Sequence, residues 1–266
     1  MKILVCVFVT ALCGATAAAE YADGKLGKAL ILDGSSHTVK IPHYAGLKPA
    51  KAITISAWIK PERVGKGGWQ WQQIYRKEDG NARALMAIGE YEKKHSLCFG
   101  LGIGGKFVEH SVPLEPAKLL DGKWHLVGVT FDGKAMKFYA DGQEIGASTK
   151  ASGAIDTHGE APAYIGSYIG NGEFFKGGID DVRLYNRAVS SGEIKAMALG
   201  DGKAAVNGIV GWWKLDGDLK NSAAKTATGS VAQFRGVDRK WKATPFSLAG
   251  AQLDIRAAGE AAVRVT

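Results

Sequence analysis

FKGGIDDVRLYNRAVS, residues 175–190, is the stretch on which the fold turns. Its centre, GGIDDVRLYN (177–186), reads as a β-strand bounded by Gly on one side and Asn on the other. Neighbouring side chains of a regular strand take opposite faces, so the carboxylates of Asp180 and Asp181 are expected to diverge. Directly after it, Ser190-Ser191-Gly192-Glu193 carries the hydroxyl and glutamate of a capping box, and Ile194, Met197 and Ala198 follow at helical spacing. One short helix is therefore predicted near 191–199, ended by Gly200 and expected to plug one end of the molecule.

Upstream, short alternating apolar runs recur with turn signals between them, the mark of an all-β chain. KALILDG (28–34) and HTVKIP (37–42) flank a Gly-Ser turn, and AITISAWIKP (52–61) lines up Ile53, Ile55, Ala57 and Ile59. ALMAIGEY (84–91), HSLCFGLGI (95–103), WHLVGVTFDG (124–133) and MKFYADGQEIG (136–146) follow, then AYIGSYI (163–169). Asp132-Gly133 and Asp141-Gly142 sit between alternating runs, and Asp-Gly is a strong hairpin signal because a type I′ turn needs positive φ at both central residues.

Both ends of the chain differ from this body. Lys2, an apolar run from Ile3 to Leu12 and the small residues 15–19 have the layout of a secretory signal peptide, residues 1–19, so the product is expected to be secreted: extracellular, periplasmic or at the cell surface. No run is apolar for long enough to predict a membrane span. Removing that segment takes Cys6 and Cys13 with it and leaves Cys98 without a disulfide partner, so stability must come from a core. The formal charge of +8 is spread along the chain without a block of like charge, which argues against nucleic acid as a partner and is compatible with a weak attraction to acidic polysaccharides.

In order, KALILDG with VKIP, ITISAWIKP, DGKWHLVGVTFDG with FYADGQEIG, AYIGS and the opening stretch resemble the landmarks of bacterial laminin-G-like domains of the concanavalin A-like lectin/glucanase superfamily, over about residues 25–198. The resemblance implies an all-β, two-sheet antiparallel jelly-roll sandwich, with the domain at 20–200, and binding of glycans or proteins on a concave face or at loop tips. Family members usually begin with a W-x-L-D-G strand. Here that pattern comes late, as GWWKLDGDLKNSAA (211–224), and TPFSLAGAQLDI (244–255) echoes the KALILDG run. The extension 201–266 thus either closes the sandwich through a strand at 210–216, as in a circular permutation, or starts a second repeat that is left incomplete.

Glucan-cleaving enzymes of this architecture carry two glutamates and an aspartate as E-x-D-x-x-E on one strand, and no such pattern, nucleophile elbow or His-rich metal spacing occurs here. Two binding features remain. The stretch 63–83, read as an insertion, sets Trp69 and Trp71 on one side with Gln73 beyond them, a candidate sugar platform to which Tyr91 is added; core packing of a half-buried strand is the competing reading. Asp33 and Gly34 at the first turn, with Asp180 placed nearby by the resemblance, could share a structural Ca²⁺; alternatively Asp33 caps its own turn and Asp180 pairs with Arg183 or Arg187. The expected function is a secreted, non-catalytic, carbohydrate-binding, lectin-like module whose partner is a polysaccharide or other glycan. The alternatives are an adhesion module contacting a cell-surface protein and, more weakly, a polysaccharide hydrolase.

Overall fold

The computed structural model describes residues 19–64, 71–92, 94–114, 119–223 and 233–235, with short strand segments at 253–254 and 264–265. Residues 1–18 of the expected signal peptide (1–19), Trp69 and the echo at 246–250 lie outside the described residues.

Two antiparallel sheets face each other. The first runs β1 (Glu20–Asp23), β2 (Lys28–Asp33), β13 (Lys176–Tyr185), β4 (Ile53–Pro61), β9 (His125–Phe131), β10 (Met136–Ala140) and β11 (Gln143–Ser148), with β14 (Ile209–Trp213) also paired to β13. The second runs β15 (Gln233–Arg235), β3 (Thr38–Ile41), β12 (Ala163–Ile165), β5 (Gln72–Asp79), β6 (Ala82–Tyr91), β7 (Lys94–Ile103) and β8 (Lys106–Pro113). Ile53, Ile55, Ala57 and Ile59 of β4 enter the core between the sheets, where they join Ile74, Met86 and Ile88 and then Leu97, Phe99 and Leu101 of the opposite sheet. Both Asp-Gly hairpins form, but at the first only Gly133 (φ 93°) has positive φ, in a longer loop between paired Phe131 and Met136, so it is not a type I′ turn. Ala140 pairs with Gln143 around Asp141 (φ 49°) and Gly142 (φ 82°), a two-residue turn with positive φ at both positions.

Three further expectations are corrected and one strand is added. Residues 72–79 are not an insertion but β5, an interior strand of the second sheet. β8 went unread, because its burial is irregular along an edge that faces solvent. The helix, α1 (Ser191–Ala198), has the expected capping box, yet it covers the outer face of the first sheet: Ile194 and Met197 pack on Trp58, Leu126, Tyr139 and Tyr185, the side chains that alternate with the core residues. Finally, β13 is not a regular strand. Its pairing with β4 slips between Asp180 and Arg183, and Asp181 takes a left-handed φ of 50°. The extra residue of this bulge sends both Ile179 and Val182 into the core and leaves Asp180, Asp181 and Arg183 together on the other side.

One edge of β13 serves two partners end to end. β2 pairs with residues 176–179 and β14 with residues 182–185, so the W-W-x-L-D-G segment lies in line with the KALILDG strand. Trp213 and Leu215, 1% and 0% exposed, enter the main core from there. Asn221 donates to the Tyr44 hydroxyl, which itself donates to the Val210 carbonyl, and these bonds hold the segment onto the β3–β4 connection. Truncating a buried tryptophan forfeits burial and leaves a cavity, at a cost of about 3–5 kcal/mol. Trp213→Ala is therefore expected to lower the denaturant midpoint by that equivalent, and deletion of 208–266 to give an unfolded or aggregated product by circular dichroism and gel filtration.

Candidate functional site

The outer face of the second sheet is open, and its register assembles a trough from residues scattered over a hundred positions. Arg76, Leu85, Gly100 and Glu109 form one row across β5 to β8, and Gln73, Ala87, Cys98 and Ser111 the next. Glu78, Arg83, Gly102 and Phe107 form the row on the other side of the first. The floor is small and apolar: Leu85, Ala87 and Cys98 form a cluster of their own, packed against Trp71 and Phe107. Absent side chains let both rings lie down on the sheet. A Cβ on Gly89 would run into the Trp71 ring, and one on Gly100 into Phe107. The trough between them encloses about 120 Å³.

Its polar wall is a linked set. Gln73 donates through Nε2 to Glu173, whose loop also accepts the Gln73 backbone N–H at the Glu173 carbonyl (3.0 Å). Arg76 pairs with Glu78, lies 3.7 Å from Glu173 and stacks 4.4 Å from the Tyr168 ring. Arg83 reaches Glu78 at 3.0 Å and stacks 4.0 Å from Phe107. Burial pushes the Glu173 carboxyl up against the opposing effect of Gln73 and Arg76. The other amide atom of Gln73, Oε1, is buried without a hydrogen-bond partner. Cys98 donates its thiol to Glu109 Oε1 at 2.9 Å, and burial followed by the Glu109 charge raises its pKa well above the usual thiol value, so it is no nucleophile.

The structure brings Trp71 and Gln73 into this trough. Tyr91 shares the face with Ala87 and Gly89 by alternation, but it stands 50% exposed at the end of β6, beyond the trough lining. Phe107, Arg76, Arg83, Glu109 and Glu173 were missed. Each was unremarkable in its own segment, and only cross-strand pairing unites them.

The calcium residues do not come together. Lys176 pairs with Asp33, and Asp180 lies four residues further along β13, about 13 Å at the rise of a strand. Asp33 caps its turn, accepting the backbone N–H of Ser35, Ser36 and His37 and both serine hydroxyls. Partial burial opposes its ionisation, and those bonds outweigh it to hold the carboxyl well below the usual range. Gly34 offers its carbonyl to Arg63 at 2.7 Å. Asp180 accepts the Lys25 and Leu26 backbone N–H groups at 2.8 and 2.9 Å, while Arg183 pairs with Asp181 and Arg187 with Glu193. An ion shared by Asp33, Gly34 and Asp180 does not fit this arrangement. Among the described residues no three His, Cys, Asp or Glu side chains gather as a metal site.

A family model described as the concanavalin A-like lectin/glucanases superfamily matches residues 33–195, more than half of the chain. The chain belongs to this superfamily. Among solved structures of similar fold, domain 4 of an extracellular GH43 arabinanase from Geobacillus stearothermophilus, in complex with arabinotriose, has a TM-score of 0.52 at 24% identity, covering 68% of this chain and 82% of that one. A putative carbohydrate-binding protein from Bacteroides ovatus reaches a TM-score of 0.55 at 21% identity, covering 81% of this chain and 61% of that one. The native heptameric pentraxin of Limulus polyphemus reaches 0.50 at 17% identity, covering 82% and 98%. At these identities the likeness is one of fold. No curated protein matches the chain. Among the described residues no helix is long and apolar enough to cross a membrane.

Asp180 gives the superfamily member a pH signature. Burial, helped by the neighbouring Asp181 charge, lifts its carboxyl to about 7 from 3.8. A raised carboxyl stabilises the fold while protonated, so its contribution is full below the unfolded value and lost as pH rises through the folded one. In EDTA-containing buffer the melting temperature should fall between pH 5 and 8, and Asp180→Asn should remove that part of the fall. An identical pH profile in the variant would contradict the assignment.

Proposed function

We propose that this protein is a secreted, non-catalytic, glycan-binding module and that it binds along the trough on the outer face of the second sheet. The observation that carries the reading is the half-buried Trp71 ring laid over Gly89, lining the same trough as the exposed carboxylate of Glu109. A sugar ring presents C–H groups to an aromatic face and hydroxyls to its edge, so it needs one flat apolar surface and adjacent polar atoms. The trough supplies both. Its solved structural neighbours include an arabinanase domain in complex with arabinotriose and a putative carbohydrate-binding protein, which is consistent with this use of the fold.

The non-catalytic part rests on chemistry. Glycoside cleavage needs an acid and a base or nucleophile flanking one bond. Here Glu78 is tied to Arg76 and Arg83, and Glu173 is held by Gln73 and faces Arg76, which leaves Glu109 as the trough carboxylate bound by neither an arginine nor an amide.

Trp71→Ala is expected to weaken binding about 30-fold, the equivalent of the ~2 kcal/mol lost on truncating a central aromatic anchor. Affinity electrophoresis against arabinan, xylan, mannan and mixed-linkage glucan measures it, with reducing-sugar release followed on the same polymers. Wild-type affinity in Trp71→Ala would remove the site, and sustained sugar release would overturn the non-catalytic reading.

A further inference from the structure

We infer that the trough selects uncharged, hydroxyl-bearing glycan chains and turns away carboxylated ones, although the chain as a whole is strongly basic. This rests on the glycan reading above and concerns the same site. The chain's formal charge of +8 points toward acidic polysaccharides, but the local inventory points the other way.

Two guanidinium groups face the trough and both are engaged. Arg76 donates through Nε and Nη2 to Glu78, has Nη1 turned to Glu173 at 3.7 Å, and is covered on one side by Tyr168. Arg83 holds Glu78 and the Gly80 carbonyl and is stacked on Phe107. Neither fork is free to clamp a carboxylate or sulfate in the bidentate manner that gives arginine its affinity for such groups. Lys40, the next cation in the row, stands beyond Tyr164, two strands away from Arg76.

The acceptors the trough leaves open are its carboxylates, since Gln73 is only 1% exposed. Glu109 is exposed, and the hydrogen bond it receives there comes from a thiol, a weak donor. Glu173 stands across the trough from it and feels its charge. Three carboxylates against two guanidinium groups make the site acidic. A neutral sugar brings hydroxyl donors to these acceptors, whereas an anionic sugar brings a like charge and no donor in its place.

The test uses the full chain and whichever neutral polysaccharide it retains best. That polymer is lightly carboxymethylated, and a sample hydroxyethylated to the same degree controls for bulk. The expected result is retention of the native and hydroxyethyl polymers, with the carboxymethyl form weakened about tenfold at low salt. The gap should narrow as ionic strength rises, because screening shortens the reach of the trough's charge. Glu109→Gln, which removes the charge, should close part of it, read as the ratio of native to carboxymethyl affinity within that variant. Equal or tighter binding of the carboxymethyl polymer by the wild type, or an unchanged ratio in Glu109→Gln, overturns the charge selectivity and leaves glycan binding standing. Failure to retain any polymer, or retention that ignores Trp71→Ala, overturns the glycan reading at this face and this inference with it.

Discussion

The bulge in β13 is the constraint from which the architecture follows. A regular strand could not turn Ile179 and Val182 to the same side, and the core between the sheets needs both. Inserting one residue at Asp181 solves this. It also places buried charge on the far side, where the carboxylate of Asp181 is satisfied by the Arg183 Nε–H at 2.8 Å and the Trp212 indole N–H at 2.6 Å. Arg183 then reaches the carbonyls of Gly202 and Ala204 at 2.9 and 2.8 Å, so the chain after α1 is held by the same cluster. A charged group this deep is tolerable because each of its hydrogen-bonding atoms has a partner. The bulge also divides the edge of β13 between two strands. The junction is sealed by carboxylates: Asp180 takes N–H groups of the β1–β2 turn, and Asp216, just past β14, takes the Lys28 N–H at 2.8 Å. α1 covers the outer face of the first sheet over β4, β9, β10 and β13. The second sheet keeps its outer face open, and the trough lies there.

Much of this was legible in the sequence, and the part that was not has a common cause. Strands whose one face is core announce themselves by alternation, as β4 does with its isoleucines, and the Asp-Gly turns announced the β9–β10–β11 meander through a local backbone requirement. α1 was legible from its capping box, but the surface it covers was not, because Trp58 and Tyr185 look the same on a strand whichever side they face. The bulge was invisible because Asp180-Asp181 is also an acceptable pair in a regular strand.

The candidate site was legible only where it was local. Trp71 and Gln73 stood out because two tryptophans and several amides crowd one short stretch. Phe107 and Glu109 sit on an edge strand without a burial period to expose it, and Glu173 sits in a loop. Register also separates Asp33 from Asp180: the resemblance places both near one turn, but antiparallel pairing sets them at opposite ends of β2.

The glycine under Trp71 carries a consequence for how a ligand is met. An aromatic side chain on a flexible loop loses rotamer freedom when it closes on a partner, and that loss is subtracted from affinity. Here the ring rests on the bare backbone of Gly89, with the small floor of Ala87 and Cys98 beside it, so its orientation is settled when the chain folds. The platform is a rigid, shallow surface that is ready before anything arrives. Recognition by such a surface depends on the flatness and length of the partner, each additional residue of an extended chain adding contact without rearranging what is already in place.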